Sequence, residues 1–150
     1  MNFITFQLVT PERTVLSKEL SSLSCPTTLG QITILPGHEP LVATLVPGEL
    51  HAKSAKEDFF LFVSGGFVQV NHGNKVVILA DAAEHHYEID EQRAKEAKEQ
   101  AEKALKEFKG GSEDYAKVAT ALEKSLTRLH ITRKHAHKKN PLTGQGTMNE

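Results

Sequence analysis

The hydrophobic period of this chain changes once, near Asp90, and that change restricts it to a sheet followed by helices. Ile4, Phe6 and Leu8 alternate with Thr5 and Gln7, the period of a strand covered on one face. Later apolar runs are short and rich in Val, Ile and Phe, at 31–35, 41–46, 59–63, 67–70 and 76–79. Turn signals separate them: Thr10-Pro11-Glu12, Pro36-Gly37-His38-Glu39-Pro40, Val46-Pro47-Gly48, Ser64-Gly65-Gly66 and His72-Gly73-Asn74. Short strands punctuated by Gly and Pro predict an all-β antiparallel sandwich or barrel over residues 1–86. Such a layout has no crossover helices, so a dinucleotide site at a strand-order reversal is not expected there.

From Asp90 onward the period is helical. Ala94, Ala97, Ala101, Ala104, Leu105 and Phe108 fall on one stripe, and Glu and Lys fill the opposite face. Glu91–Lys95, Glu99–Lys103 and Glu102–Lys106 stand at i,i+4 in the favourable order. Asp90 suits an N-cap and Gly110-Gly111 a helix stop. Ser112 suits the cap of a second helix with the stripe Tyr115, Val118, Ala119, Leu122, Leu126 and Leu129. Two such helices joined by a short turn form an antiparallel α-hairpin, expected over residues 87–139. Its first stripe is mostly alanine, which packs closely but buries little area. Isolated helices near this length are marginal in water, so the hairpin must dock on something and can exchange one docking surface for another. Residues 140–150 hold Pro and Gly without an apolar period and are expected to be a disordered tail.

Composition excludes several classes. The longest apolar runs, such as 59–63, fall far short of the ~18 residues of a membrane helix. The opening MNFITFQLVTPERT lacks a basic stretch followed by a long apolar one, so no secretory leader is expected. The single cysteine, Cys25, cannot form an internal disulfide. It fits a reducing compartment and reads as inert core.

The formal net charge of −1 conceals a gradient. Residues 1–89 carry four more acids than bases, and residues 110–139 four more bases than acids. Between Arg128 and Lys139 there are five bases (Arg128, Arg133, Lys134, Lys138, Lys139) and no acid. This run fits an acidic protein or nucleic-acid partner, or simply a basic helix end complementing the helix dipole. The eight histidines have no metal-ligand spacing: His130 and His135 are five apart, and His135 and His137 point apart on a helix. They are expected as solvated surface groups. No nucleophile elbow and no Walker-type loop occurs, and Ser64-Gly65-Gly66 reads as a turn between strands.

Several segments together resemble the epsilon subunit of bacterial F-type ATP synthase, the counterpart of the mitochondrial delta subunit. They are Ile34-Leu35-Pro36-Gly37-His38-Glu39-Pro40-Leu41, Pro47-Gly48-Glu49-Leu50 and Ser64-Gly65-Gly66-Phe67-Val68-Gln69-Val70. Val77-Ile78-Leu79-Ala80-Asp81-Ala82-Ala83-Glu84 and Ile89-Asp90-x-x-Arg93-Ala94 follow in the family's order. The resemblance covers about residues 3–135. It implies a ten-stranded β-sandwich followed by a two-helix hairpin, without catalytic residues of its own. It implies a non-catalytic rotor subunit of the central stalk, at the cytoplasmic face of the bacterial plasma membrane. Its partners would be the gamma subunit, the c-subunit ring and the alpha and beta subunits of the catalytic head.

In the family the hairpin either folds on the sandwich or extends into the head, where it restrains ATP hydrolysis. The resemblance would put Gln31, Pro36, Gly37, His38, Glu39 and Pro40 on the gamma and c-ring side. Arg128, Arg133 and Lys134 would face the catalytic head. Glu84, Ile89, Asp90, Arg93 and Ala94 match a motif through which some members bind regulatory ATP; no cofactor is required. The chain departs from the family at Gly30-Gln31-Ile32-Thr33, where G-E-x-G is usual, and at Gln100, where some nucleotide-binding members have Arg. Arg128 and Arg133 do not fit an obvious nucleotide-binding pattern. The rival reading is a small nucleic-acid-binding β-barrel module with a basic helix, which the strands' scarce aromatics weaken. A cupin-like metal enzyme would need converging histidines.

Overall fold

The computed structural model describes residues 2–107 and 112–135, with the backbone alone at 112 and 113. Gly110-Gly111, Phe108, His137, the bases Lys138 and Lys139, and residues 140–150 lie outside the described residues. Ten strands come first: β1 Ile4–Val9, β2 Thr14–Leu20, β3 Ser22–Thr27, β4 Gly30–Ile34 and β5 Leu41–Leu45. β6 Gly48–Lys53, β7 Asp58–Val63, β8 Gly66–Asn71, β9 Lys75–Ala80 and β10 Ala83–His85 follow. A 3-10 turn, His86–Glu88, leads into α1 Glu91–Glu107 and α2 Ser112–Lys134.

The strands follow the order β10-β7-β6-β3-β5-β8-β9-β1-β2, with β4 added beside β3. β3 meets β5 through one residue pair, Thr27 with Leu45. The sheet folds there into two layers that share one core. Phe6, Leu8 and Ile78 come to that core from one layer, and Leu23, Leu50 and Leu61 from the other, all fully buried. Neighbouring strands are antiparallel except β1 and β9, which run parallel from Thr5 beside Lys75 to Val9 beside Leu79. The expected antiparallel sandwich holds except at this one parallel pair. The strands β2 to β8 lie between these two in sequence and supply the long connection that a parallel pair needs. Cys25 is fully buried and its thiol is pushed up to about 12 by burial, in keeping with inert core.

β7 differs from the other strands because its residues Phe59 to Val63 are all buried. Phe59, Leu61 and Val63 enter the sandwich core, while Phe60 and Phe62 point outward beneath α2. Phe62 forms a second apolar cluster with Ile89 and Ile131. Fully burying one such side chain is worth about 1.5–3 kcal/mol, so this small cluster is a main apolar anchor of the hairpin.

The hairpin itself is antiparallel, since Arg133 at the end of α2 pairs with Glu91 at the start of α1 at 3.4 Å. Asp90 caps α1 as expected: its Oδ1 accepts the Arg93 N–H at 3.1 Å, and its carbonyl accepts the Ala94 N–H. The expected stripes need correcting. On α1 only Ala94 and Ala101 are buried, and Ala97 is exposed. On α2 Tyr115 and Leu126 are exposed, whereas Ser125, Leu129 and Ile131 are buried. The reason is that the C-terminal half of α2 must satisfy two neighbours. Arg128, Ile131 and His135 turn to the sandwich, while Ser125 and Leu129 are buried on a different face of the helix. The i,i+4 pair that closes on α1 is Lys98–Glu102 at 3.7 Å, a surface pair of small worth.

The Ser64-Gly65-Gly66 turn is a site of close approach. Gly66 has φ +133, and a Cβ there would overlap the Leu79 carbonyl oxygen and lie 2.8 Å from the Ala80 Cα. Gly73 has φ +80 with open space around it. Gly66→Ala should therefore cost more than about 2 kcal/mol, and Gly73→Ala about 1 kcal/mol. Urea unfolding of the two variants checks the order; equal losses would contradict the backbone clash at Gly66.

Candidate functional site

Three places combine exposure with chemistry. The first is the seam between β10, the 3-10 turn and the two helices. Its cleft of 380 Å³ is lined by Glu84, Glu88, Ile89, Asp90, Arg93, Ala94, Ala97 and Arg128. The residues of the I-D-x-x-R-A motif are thus brought together around one space. Arg93 projects from the first turn of α1, whose N-terminus favours negative charge. Arg128 arrives from α2, its Nε donating to Glu84 Oε1 at 2.9 Å and its guanidinium lying 4.5 Å from the centre of the Phe62 ring. Two guanidiniums and a helix N-terminus suit an anionic group, and the nearby carboxylates can accept from hydroxyl or amino groups. Sequence reasoning assigned Arg128 to the catalytic-head side and found no nucleotide-binding place for it. The structure puts it in this cleft, whereas Arg133 pairs with Glu91 outside it.

A neighbouring network holds the seam in shape. Arg13 Nη2 donates to both Glu88 carboxylate oxygens at 3.0 Å, and Glu88 Oε1 also accepts the His85 N–H at 3.0 Å. Burial alone would raise the Glu88 pKa, but the Arg13 and His85 hydrogen bonds outweigh it and hold the carboxyl below its usual range. His85 is buried and its Nε2 lies 3.1 Å from the Val15 carbonyl, so the neutral ring donates there. Burial lowers its pKa against the opposing pull of that carbonyl.

The second place is the C-terminal end of α2. Phe60 is stacked between His51 at 4.5 Å and His135 at 3.7 Å, ring centre to ring centre. His135 Nε2 lies 3.1 Å from Glu49 Oε1, and Lys134 Nζ reaches the same oxygen at 3.3 Å. His85, His86 and His135 are buried, which corrects the expectation that the histidines are solvated surface groups. No cluster of metal-ligating side chains occurs among the described residues. Arg128, Arg133 and Lys134, expected to face the catalytic head, are here each turned to an acid of the chain itself: Glu84, Glu91 and Glu49. The nucleic-acid reading is weakened, since the three described bases of its basic run, Arg128, Arg133 and Lys134, are engaged within the chain.

The third place is the sandwich surface away from the hairpin. Val42 on β5, Phe67 on β8 and Leu79 on β9 are 68%, 55% and 56% exposed. Phe67 stands directly opposite Leu79 in the β8–β9 register. An exposed apolar face on neighbouring strands marks a contact surface. Sequence reasoning missed it, although the unbroken run Val76-Val77-Ile78-Leu79-Ala80 was a signal: a strand apolar at successive positions has apolar side chains on both faces. The Pro36–Pro40 loop joins β4 to β5, and Gly37, His38, Glu39 and Pro40 are exposed. Gln31 is not brought together with this loop. It lies near the other end of β4, about 16 Å away along the strand, and borders the groove beneath α2 that Glu49, His51 and Lys134 also line.

A β-sandwich with one exposed apolar face, and a helical hairpin resting on another, define a two-part subunit. The family model described as ATP synthase, Delta/Epsilon chain, beta-sandwich domain matches residues 3–86. The long alpha-helix domain of the same Delta/Epsilon chain matches residues 88–133. The chain therefore belongs to the ATP synthase delta/epsilon family, as an epsilon subunit of F-type ATP synthase.

It is 43% identical over 130 residues to the ATP synthase epsilon chain of Herpetosiphon aurantiacus, covering 87% of this chain and 94% of that one. With the ATP synthase epsilon chain of Nitratidesulfovibrio vulgaris it shares 37% identity over 125 residues, 83% of this chain and 92% of that one. Its fold resembles a chain in the Euglena gracilis mitochondrial ATP synthase (OSCP/F1/c-ring) with a TM-score of 0.67 at 23% identity, covering 89% of this chain and 81% of that chain. A chain of the Tetrahymena thermophila mitochondrial ATP synthase central stalk and c ring gives 0.56 at 17% identity, covering 85% and 94%. No described helix is long and apolar enough to cross a membrane.

The seam has a pH signature. The His85 pKa is depressed in the folded chain, so its contribution is intact above the ordinary value of about 6.5 and is lost as pH falls below it. The midpoint of thermal unfolding should drop between pH 7.5 and 5.5. His85→Gln, which keeps a donor for Val15, should lose stability at pH 7.5 but show a shallower drop. An unchanged slope in the variant would contradict the buried neutral histidine.

Proposed function

We propose that this chain is the rotor subunit that couples the c ring to the catalytic head and restrains ATP hydrolysis with its C-terminal helices. The gamma subunit and c ring would hold the sandwich, and the alpha and beta subunits would receive the extended hairpin. The site of action would be the cytoplasmic face of the bacterial plasma membrane, reached only through the complex.

One observation carries the reading. The hairpin rests on the sandwich through a small apolar cluster, two ion pairs from Arg128 and Lys134 of α2, and the contact of His135, just past α2, with Glu49. Partly exposed pairs contribute little each, so docking is a matter of a few kcal/mol. A partner that prefers the extended form by about 5.5 kcal/mol would move the population from one extreme to the other. Lifting α2 would free Arg128, Lys134 and His135 from the sandwich acids and make them available to acids of the head. The exposed face of Val42, Phe67 and Leu79 is free in the folded form and suits a permanent apolar partner such as gamma.

The cleft between Arg93 and Arg128 is proposed as a regulatory ATP site. It needs α1, α2 and the 3-10 turn together, so a ligand there would favour the folded hairpin.

Deleting the chain after residue 89 should raise ATP hydrolysis by the assembled complex while stalk assembly persists. Unchanged hydrolysis would leave the restraint without support, and lost assembly would contradict the division of roles. Calorimetry with ATP on the full chain should give saturable binding that Arg93→Ala weakens tenfold or more. No heat of binding, or binding indifferent to Arg93, would rule out the nucleotide site.

A further inference from the structure

The Pro36–Pro40 loop has little of its own to hold it. Pro36 and Pro40 have no N–H to donate. His38 N–H returns to the Leu35 carbonyl at 3.1 Å, and His38 Nδ1 lies 2.6 Å from the Glu39 carbonyl. Both contacts stay inside the loop. At Gly37 the backbone takes φ +88, and a Cβ built there would meet nothing within 4 Å. Packing therefore does not fix the loop at its most adaptable residue.

A hydrogen bond from elsewhere does. Gly37 N–H donates to Asn74 Oδ1 at 2.7 Å, across 37 positions of sequence. Asn74 sits in the turn between β8 and β9 with φ 61, the left-handed conformation that Asn tolerates better than most residues. Its own carbonyl accepts the Thr5 N–H at 2.8 Å. One residue thus ties the start of β1, the β8–β9 turn and the loop between β4 and β5 into one rim. The donor is a backbone N–H, so the side-chain atom facing it must be the amide oxygen.

We infer that Asn74 is a positioning residue for the stalk-facing loop. Its amide oxygen selects the loop conformation in which Leu35 to Pro40 meet their partner. The inference rests on the proposed gamma and c-ring role of residues 36–40. Losing one hydrogen bond of this kind shifts a local equilibrium by about 3- to 10-fold. A partner that binds only the held conformation then loses affinity by up to the same factor, in full where the released form dominates.

Two substitutions separate the oxygen from the backbone. Asn74→Gly keeps the left-handed backbone at no steric penalty and removes the acceptor. Asn74→Asp keeps an acceptor oxygen and tolerates the same backbone. Both are compared with the native chain for amide exchange at Gly37 by NMR, and for affinity toward the gamma subunit bound to its c ring. Leu35→Ser serves as a direct loop variant. The expected result is a 3- to 10-fold loss of Gly37 protection in Asn74→Gly, a measurable loss of affinity no larger than that factor, and near-native values for Asn74→Asp.

Unchanged Gly37 exchange in Asn74→Gly overturns the inference. So does faster exchange with native affinity when Leu35→Ser weakens binding, since the loop is then a contact that Asn74 does not shape. Native affinity in both Asn74→Gly and Leu35→Ser overturns the partner role of the loop itself, and the inference with it. A deficit in Asn74→Asp as large as in Asn74→Gly would show that the oxygen is not what acts.

Discussion

The structure turns on one strand that is apolar and buried on both faces. β7 uses Phe59, Leu61 and Val63 to complete the sandwich, which leaves Phe60 and Phe62 on the outside. Exposing both rings would forgo several kcal/mol, so something must cover them. In the folded chain the cover is α2 and the residue after it: Ile131 packs on Phe62 and His135 stacks on Phe60. The hairpin is therefore the lid of a surface that the sandwich cannot bury unaided. Lifting the lid requires either that this surface find another cover or that the helices find a better one.

The same geometry sorts the charges. Glu49 on β6 and Glu84 on β10 flank β7 on its two sides, since both strands pair with it. Lys134 and Arg128 of α2 answer them at 3.3 and 2.9 Å. These pairs align the helix over β7 more than they anchor it, because none is deeply buried. Arg128 also lies over the Phe62 ring, so apolar and ionic contacts meet at one residue. That residue lines the cleft with Arg93, which makes the cleft and the docked hairpin a single arrangement. The sandwich's other exposed face, around Phe67 and Leu79, stays clear of all this. Under the proposed function, the sandwich would hold one partner through this face while the helices change theirs.

Much of the framework was legible in the sequence. The period change at Asp90, its cap and the strands β1, β4, β5, β7, β8 and β9 follow from alternation and turn residues. The strands β2, β3, β6 and β10 were not legible one by one. β2 buries Val15 and Leu16 in succession beside a register shift at Leu8–Val9, which erases its alternation. β3 buries Leu23, Cys25 and Thr27 through a run that includes Pro26, and β10 is only three residues long. The ten-strand count came instead from the resemblance.

The site was legible in part. Its motif lies on one continuous stretch, so Glu84 through Ala94 could be named. Arg128 comes from the far end of the hairpin, and its meeting with Glu84 depends on how α2 lies on β7. That placement is fixed by Ile131 and His135, which belong to no apolar stripe strong enough to read. The doubly apolar character of 59–63 was the available hint that a helix would cover it.

The central claim is that the hairpin leaves the sandwich as a unit while the sandwich stays folded. Amide hydrogen exchange across the full chain, followed by mass spectrometry at rising urea, measures this directly. The account predicts that amides of α1 and α2 open together, at a free energy several kcal/mol below those of β7 and β9. Helix and strand amides that open together, only on global unfolding, would contradict it.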